Sequence, residues 1–334
     1  MRGMRSILNI FCVRLRNILE ETEVQYEKLS ELRLRSGRPF MVEYDNQEYF
    51  ISENGKLIRC EEQKEYCFDK MNLHIITQKE INETVEYVSR YSLYAFEEEI
   101  RQGYITVPGG HRVGICGMAV VESGKIKTIR YISFVNIRVA HEVRHCSDSL
   151  MKYIYQNTNG VKNTLILSPP MCGKTTVLRD MIRNISNGFA VDDMTKIKGF
   201  NVGLADERSE IAASYLGIPQ NDVGIRTDVL DAAPKIYGIM MLIRTMSPKV
   251  IAVDEIGSEK DIEAVLYGIN CGCGFIATAH GESVEDIRCN RFINRIIEEK
   301  VFKRYFVLEK GIDEKRTVTI FDENLQKLGL EIIE

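Results

Sequence analysis

Gly173-Lys174-Thr175 closes a short run that begins at Ser168, and the run reads Ser168-Pro-Pro-Met-Cys-Gly-Lys-Thr175. This is the spacing of a phosphate-binding loop, G-x-x-x-x-G-K-[ST], with serine where the pattern opens on glycine. A polyphosphate needs backbone N–H groups turned inward and a helix N-terminus aimed at it. Ser168, Pro169, Pro170, Met171, Cys172 and Gly173 would form that cradle. Lys174 would reach the β- and γ-phosphates of ATP, and the Thr175 hydroxyl would ligate Mg²⁺. Thr176 starts the helix that follows and completes the nucleotide-holding stretch. Serine does not adopt positive φ cheaply, so either φ stays negative at Ser168 or the start of the loop is altered.

Phosphate binding alone does not hydrolyse, and further groups stand after other apolar runs. Val250-Ile-Ala-Val253 precedes Asp254, expected to hold Mg²⁺ through its water shell, and Glu255, expected to position the attacking water. Ala205 precedes Asp206 and Glu207, which could act on Mg²⁺ or its waters, or form a solvent-facing cap paired with Arg208. Ala277 precedes Thr278 and His280, either of which could sense the γ-phosphate and relay its loss to a neighbouring subunit. Four strand ends carrying G-K-T, D-E-R, D-E and T-A-H point to a motor-like ATP hydrolase.

Elements of the right type must position these groups. Leu165–Leu167 reads as a doubly buried strand, and Val177, Leu178, Met181, Ile182 and Ile185 give the next segment a helical apolar side. Further strands are expected at Gly203–Asp206, Val250–Val253 and Gly274–Ala279. Helices are expected within Val229–Arg244, at Lys260–Ile269 and at Val284–Ile297. The C-terminal strands, Lys303–Leu308, Thr317–Phe321 and Leu328–Ile332, turn antiparallel. Ligands collect at the carboxyl ends of parallel strands, where all four motifs stand. The expected fold is an α/β RecA-like P-loop NTPase core with a mainly parallel sheet and an antiparallel edge, over 146–334.

The first 145 residues read as a smaller α+β domain. Met1–Leu19 carries Ile7, Phe11, Leu15 and Ile18 at helical spacing, an amphipathic helix that packs on its own domain or lies on a membrane or partner. Thr77-Gln-Lys-Glu80 is a capping box, Ala95–Arg101 a second helical piece, and Tyr104–Ala140 a run of strands. A helix is expected at Ser149–Gln156. No segment approaches the ~18 uninterrupted apolar residues of a spanning helix. Nine cysteines without a recurring disulfide spacing read as reduced cytosolic thiols, and Cys271-Gly-Cys273 is too tight for a usual zinc pair. The net charge of −4 gives no global footprint for nucleic acid.

Beyond these motifs, long strings carry a resemblance. They include Glu31-Leu-Arg-Leu-Arg-Ser-Gly-Arg-Pro39, Gly109-Gly-His-Arg-Val-Gly114, Asp206-Glu-Arg-Ser-Glu-Ile211, Val253-Asp-Glu-Ile-Gly257 and Thr278-Ala-His-Gly281. Over nearly its whole length the chain resembles the secretion-superfamily (type II/IV secretion-like) ATPases, in their sporulation branch. That resemblance implies an ATPase that energises assembly of, or transport through, a membrane-spanning mother cell–forespore channel during endospore formation. It implies a homo-oligomer, a hexameric ring, working in the cytoplasm of the mother cell and held to the membrane by integral membrane proteins of the channel complex. Asp206 and Glu207 then match an acidic box, Asp254 and Glu255 the second acidic motif, and His280 a histidine box. An arginine from a neighbour or from the N-terminal domain reaches the γ-phosphate in this family, with Arg112, Arg130, Arg138 and Arg226 as the candidates. Ser168 departs from the pattern and bears on rate, and Cys172 would set an oxidisable thiol beside the nucleotide. The competing readings are a nucleic-acid-associated RecA-like ATPase and a nucleotide-binding scaffold with little turnover.

Overall fold

The computed structural model describes the chain except residues 1–5, 60–71, 91–98, 100–102, 123, 158–159, 193, 289–290, 312–314 and 334. The helix expected at Ala95–Arg101 lies, but for Glu99, outside the described residues. The chain divides into two compact units, Met1–His141 and Glu142–Glu334, with the division just ahead of the expected 145–146.

In the first unit, helix α1 (Val13–Glu21) precedes strands β1 (Leu29–Arg35), β2 (Met41–Tyr44), β3 (Gln47–Ile51) and β4 (Leu57–Arg59). Helix α2 (Gln78–Val88) and strands β5 (Tyr104–Thr106), β6 (Arg112–Glu122) and β7 (Lys125–Arg138) complete it. The strands form one antiparallel sheet in the order β4-β3-β2-β1-β7-β6-β5. The expected N-terminal helix is interrupted: residues 6–8 are helical, the chain turns, and α1 restarts after Cys12. Ile7, Phe11, Leu15 and Ile18 are all buried, so this apolar face is taken up by core packing. Thr77 and Glu80 form the capping box, each side chain bonded to the other's backbone N–H. Within the run of strands expected at Tyr104–Ala140, β6 and β7 form one long hairpin. A bulge at Gly117 lets β6 pass, since a β-carbon there would lie 2.6 Å from the Arg130 carbonyl oxygen.

The second unit opens with a short helix α3 (Met151–Ile154) and the ribbon β8 (Tyr155–Asn157) with β9 (Gly160–Val161). The helix expected at Ser149–Gln156 thus stops early, because Tyr155 pairs with Val161. Strand β10 (Thr164–Ser168) leads through the loop 169–173 into α4 (Lys174–Asn187), then β11 (Gly188–Ala190) and β12 (Lys196–Lys198) form a hairpin. There follow β13 (Val202–Asp206), β14 (Thr227–Asp231), α5 (Lys235–Met246), β15 (Val250–Val253) and α6 (Glu259–Asn270). The chain ends with β16 (Gly274–His280), α7 (Val284–Arg288), α8 (Arg291–Glu298), β17 (Arg304–Lys310), β18 (Arg316–Asp322) and β19 (Lys327–Ile333).

The eight-stranded sheet has the order β14-β13-β15-β16-β10-β17-β18-β19, parallel as far as β17 and antiparallel beyond. Strand periodicity sends Ile166 to one face, into a core with Val177, Leu178, Met181, Ile182 and Ile185 of α4. Leu165 and Leu167 face the other core, with Ile239 and Leu242 of α5 and Ile262 and Val265 of α6. Both faces are therefore covered by helices, as a parallel sheet requires. The sequence expectation of a helix within Val229–Arg244 missed β14: Val229 and Leu230 pair with β13, and the helix starts only after Pro234.

Candidate nucleotide site

Serine at 168 places no strain on the loop. Ser168 stays in the β10 strand, opposite His280 of β16, and its hydroxyl donates to the Pro169 carbonyl at 2.7 Å. The left-handed residues of the loop are instead Met171, at φ 63°, and Gly173, at φ 89°. Met171 stands 98% exposed at the loop tip, while Pro169 and Cys172 are half-buried and Pro170 is exposed. Gly173 caps α4, and a β-carbon there would lie 2.9 Å from the Arg316 guanidinium carbon. The backbone angle demands glycine, whereas the flexible Arg316 side chain could give way. Thr176 lies in the first turn of α4, its carbonyl facing the Cys146 sulfur at 3.9 Å.

Three strand ends converge on that turn. Lys174 Nζ lies 2.8 Å from His280 Nδ1, and His280 Nε2 pairs with Glu255 Oε1. A lysine can only donate, so Nδ1 accepts and Nε2 carries the hydrogen that Glu255 takes. Arg208 holds the other Glu255 oxygen at 3.1 Å. Burial, opposed by Glu255 and then Asp254, holds the Lys174 ammonium below the ordinary lysine range. The Thr175 hydroxyl donates to Asp254 Oδ2 at 3.3 Å, and Thr278 donates to Oδ1. Thr278 in turn accepts the Glu255 N–H at 2.7 Å, fixing Glu255 at a left-handed φ of 55°. A bulky residue is rarely held there without a purpose for the side chain.

Thr175 and Asp254 present hard oxygens side by side, which suits Mg²⁺. Among the described residues no group of three or more His, Cys, Asp or Glu could hold a metal. A cation here would therefore take its remaining ligands from phosphate oxygens and water, which is the habit of Mg²⁺.

The acidic pair after β13 is arranged differently from expectation. Both oxygens of Asp206 are engaged by backbone N–H groups, of Glu210 at 3.0 Å, Ile211 at 3.1 Å and Ala212 at 2.8 Å. Asp206 is buried, and that burial pushes its carboxyl up to about 6 against the pull of those amides. Its carboxylate orders the loop 210–212. Arg179 of α4 grips the same loop through the Ile211 and Glu210 carbonyls, at 2.6 and 2.8 Å. Glu207 pairs with Lys235 at 2.9 Å, and the Arg208 partner expected for it goes to Glu255.

The candidate arginines also separate. Arg226 donates to the Ser186 carbonyl at 2.9 Å within the second unit. Arg112 and Arg138 face each other across β6 and β7, and with Arg33, Arg35, Tyr104 and Phe134 they line a pocket of about 470 Å³ on the open face of the first sheet. Arg112 lies over the Tyr104 ring at 4.8 Å, and Arg138 pairs with Glu31 at 3.0 Å. Arg130 lies farther along β7, opposite Met118, and is exposed. Sequence reasoning gave no role to Arg33, Arg35 or Arg316, although the alternation Glu31-Leu-Arg-Leu-Arg35 already put the first two on one face. Cys273 is buried against the Pro248 carbonyl, and Cys271 is exposed at the end of α6.

Residues 1–328 match the family described as sporulation stage III, protein AA. The chain belongs to that family. It is 37% identical over 322 residues to stage III sporulation protein AA of Bacillus subtilis (strain 168), covering 96% of each chain. Among solved structures, the fold is similar to the pilus retraction motor PilT with bound ADP, with a TM-score of 0.56 and 13% identity over 98% of this chain and 83% of that one. It is also similar to the ATPase DotB of Legionella pneumophila, with a TM-score of 0.52 and 16% identity over 93% and 81%. At such identities these two likenesses concern the fold, an α/β architecture that the family shares with secretion and pilus ATPases. No helix among the described residues is long and apolar enough to cross a membrane.

Proposed function

We propose that this chain is a Mg²⁺-dependent ATPase, with RecA-like topology in residues 146–334 and a smaller N-terminal domain in 1–145. The observation that carries the reading is the hydrogen-bonded line Lys174–His280–Glu255 beside Thr175–Asp254, at the carboxyl ends of adjacent parallel strands. Residues 168–176 hold the phosphates, and Thr175 and Asp254 hold Mg²⁺. Bound Mg²⁺ neutralises charge developing on the phosphate oxygens. Lys174 exchanges its bond to His280 for those oxygens, and Glu255, oriented by Thr278, Arg208 and His280, positions the attacking water. His280 thereby couples occupancy at Lys174 to the state of Glu255. Glu207 sits in this scheme as the partner of Lys235 and bears on the reaction indirectly.

In the cell the enzyme energises assembly of, or transport through, the mother cell–forespore channel. Family membership and the secretion-ATPase fold support that role. It works as a homo-oligomer, a hexameric ring, on the cytoplasmic mother-cell side and docked on integral membrane proteins. Arg112 or Arg138, from the arginine-lined face of the first unit, is the candidate that reaches a γ-phosphate. Arg226, bonded to Ser186, is the weakest of the four.

The test is ATP hydrolysis by the purified chain over a concentration series, with size-exclusion light scattering on the same samples. Mg²⁺-dependent turnover that rises as a ring assembles is the expected result. Tight ATP binding without turnover at any concentration would favour the scaffold reading and sink the catalytic one.

A further inference from the structure

β17 runs parallel to β10 but is longer. Leu167 of β10 is level with Val307, and β17 continues to Lys310, alongside the phosphate loop. The antiparallel β18 therefore begins at loop height, with Arg316 paired to Lys310 on one side and Ile333 on the other. The Arg316 guanidinium reaches the loop itself. From the β-carbon position of Gly173, its Cζ and Nη1 are 2.9 Å away and its Nε 3.2 Å. The planar group thus lies against the glycine.

Among the described residues the Arg316 side chain makes no hydrogen bond and no ion pair. Other arginines of this unit are engaged, Arg179 by the Glu210 and Ile211 carbonyls, Arg183 by Asp180, Arg208 by Glu255 and Arg226 by Ser186. A half-buried guanidinium with no anion, set against a loop and helix start that already favour anions, is poised for an external one. The side matters as well. Lys174, Asp254, Glu255 and His280 lie toward β15 and β16, whereas Arg316 comes from β18, on the opposite flank of β10.

We infer that Arg316 is a same-chain ligand of the bound nucleotide, contacting its α- and β-phosphates on the flank of the loop away from the hydrolytic groups. The inference rests on the nucleotide-binding reading proposed above. Because the contact is remote from the γ-phosphate, it stabilises ADP and ATP alike and persists after hydrolysis.

Binding of ADP and of β,γ-imido ATP is measured by calorimetry on the full chain, for the wild type, Arg316→Ala, Arg316→Met, Arg316→Lys and Lys174→Ala. The Met variant keeps apolar bulk against Gly173, should the Ala variant fail to fold. Loss of one charge-assisted contact should weaken both ligands by the same factor, about tenfold to a hundredfold. Arg316→Lys should recover part of the loss, and the melting temperature of Arg316→Met should stay at the wild-type value. Equal ADP affinity in wild type and Arg316→Met, with Lys174→Ala impaired, would overturn the role of Arg316 alone. So would a loss confined to the ATP analogue, which would place Arg316 at the γ-phosphate. No nucleotide binding by the wild type, or undiminished binding by Lys174→Ala, would overturn the underlying nucleotide reading instead.

Discussion

Lys174 Nζ and His280 Nδ1 share a hydrogen bond of 2.8 Å, which joins the start of α4 to the last residue of β16. In the proposed nucleotide site, phosphate oxygens would compete with the imidazole for one ammonium. Lys174→Ala should remove most nucleotide affinity, a loss of a hundredfold or more on the order expected for a buried charged donor. His280→Ala should leave binding within a few-fold while lowering kcat, since Glu255 loses a fixing donor. Isothermal titration and steady-state hydrolysis separate the two. Unchanged ATP binding by Lys174→Ala would remove the loop assignment.

Glu255 combines the chemical role proposed for it with a left-handed backbone, and the two can be dissected. Glu255→Gln should retain ATP and lose turnover by a factor on the order of 10² or more. Continued hydrolysis would move the catalytic role to Glu207 or elsewhere. Glu255→Gly should unfold at higher denaturant than Glu255→Ala, the difference being about 1 kcal/mol, because glycine accepts a φ of 55° without steric cost.

Ser168 was the residue that set this loop apart from its pattern, and its strand geometry gives a sharp expectation. Ser168→Gly should change kcat less than about threefold, below ~1 kcal/mol in barrier. Met171→Gly, at the true left-handed position, should stabilise the fold by about 1 kcal/mol. A tenfold or larger rise in kcat for Ser168→Gly would show that serine does restrain the loop.

Asp206 supplies a pH dependence with a defined sign. Its folded carboxyl titrates at about 6, above the ordinary 3.8, because burial outweighs the three amides that favour the charged form. The folded state thus binds the proton more tightly, and the associated stability is complete below pH 4 and lost as the pH rises through 6. Relative to Asp206→Asn, the wild type should lose roughly 3 kcal/mol between pH 4 and 7. Urea unfolding at a series of pH values reads this directly, and a flat difference would contradict it.

Much of the parallel core was legible because its strands are apolar on both faces. Leu165–Leu167 and Val250–Val253 could hardly be read otherwise, and the groups following them fell at one end of the sheet. β14 was not legible, since Thr227-Asp-Val-Leu-Asp231 is half-polar, as an edge strand paired on one side can be. In the site, the residue types pointed to Lys174, Thr175, Asp254, Glu255 and His280. They could not disclose that Asp206 turns inward to backbone amides, because an aspartate facing a metal and one capping a loop look alike in sequence. Nor could they place Arg316, brought to the loop only by the overhang of β17 and the antiparallel return of β18.

The interior place of β10 has a mechanical consequence. β10 is an interior strand, laced to β16 on one flank and to β17 on the other, with two more strands beyond β17. A tug on the phosphate loop is consequently shared at once between two hydrogen-bond ladders instead of peeling a single one. The loop is anchored like a hook set in the middle of a plank, so a load on it spreads across the sheet instead of onto one neighbour.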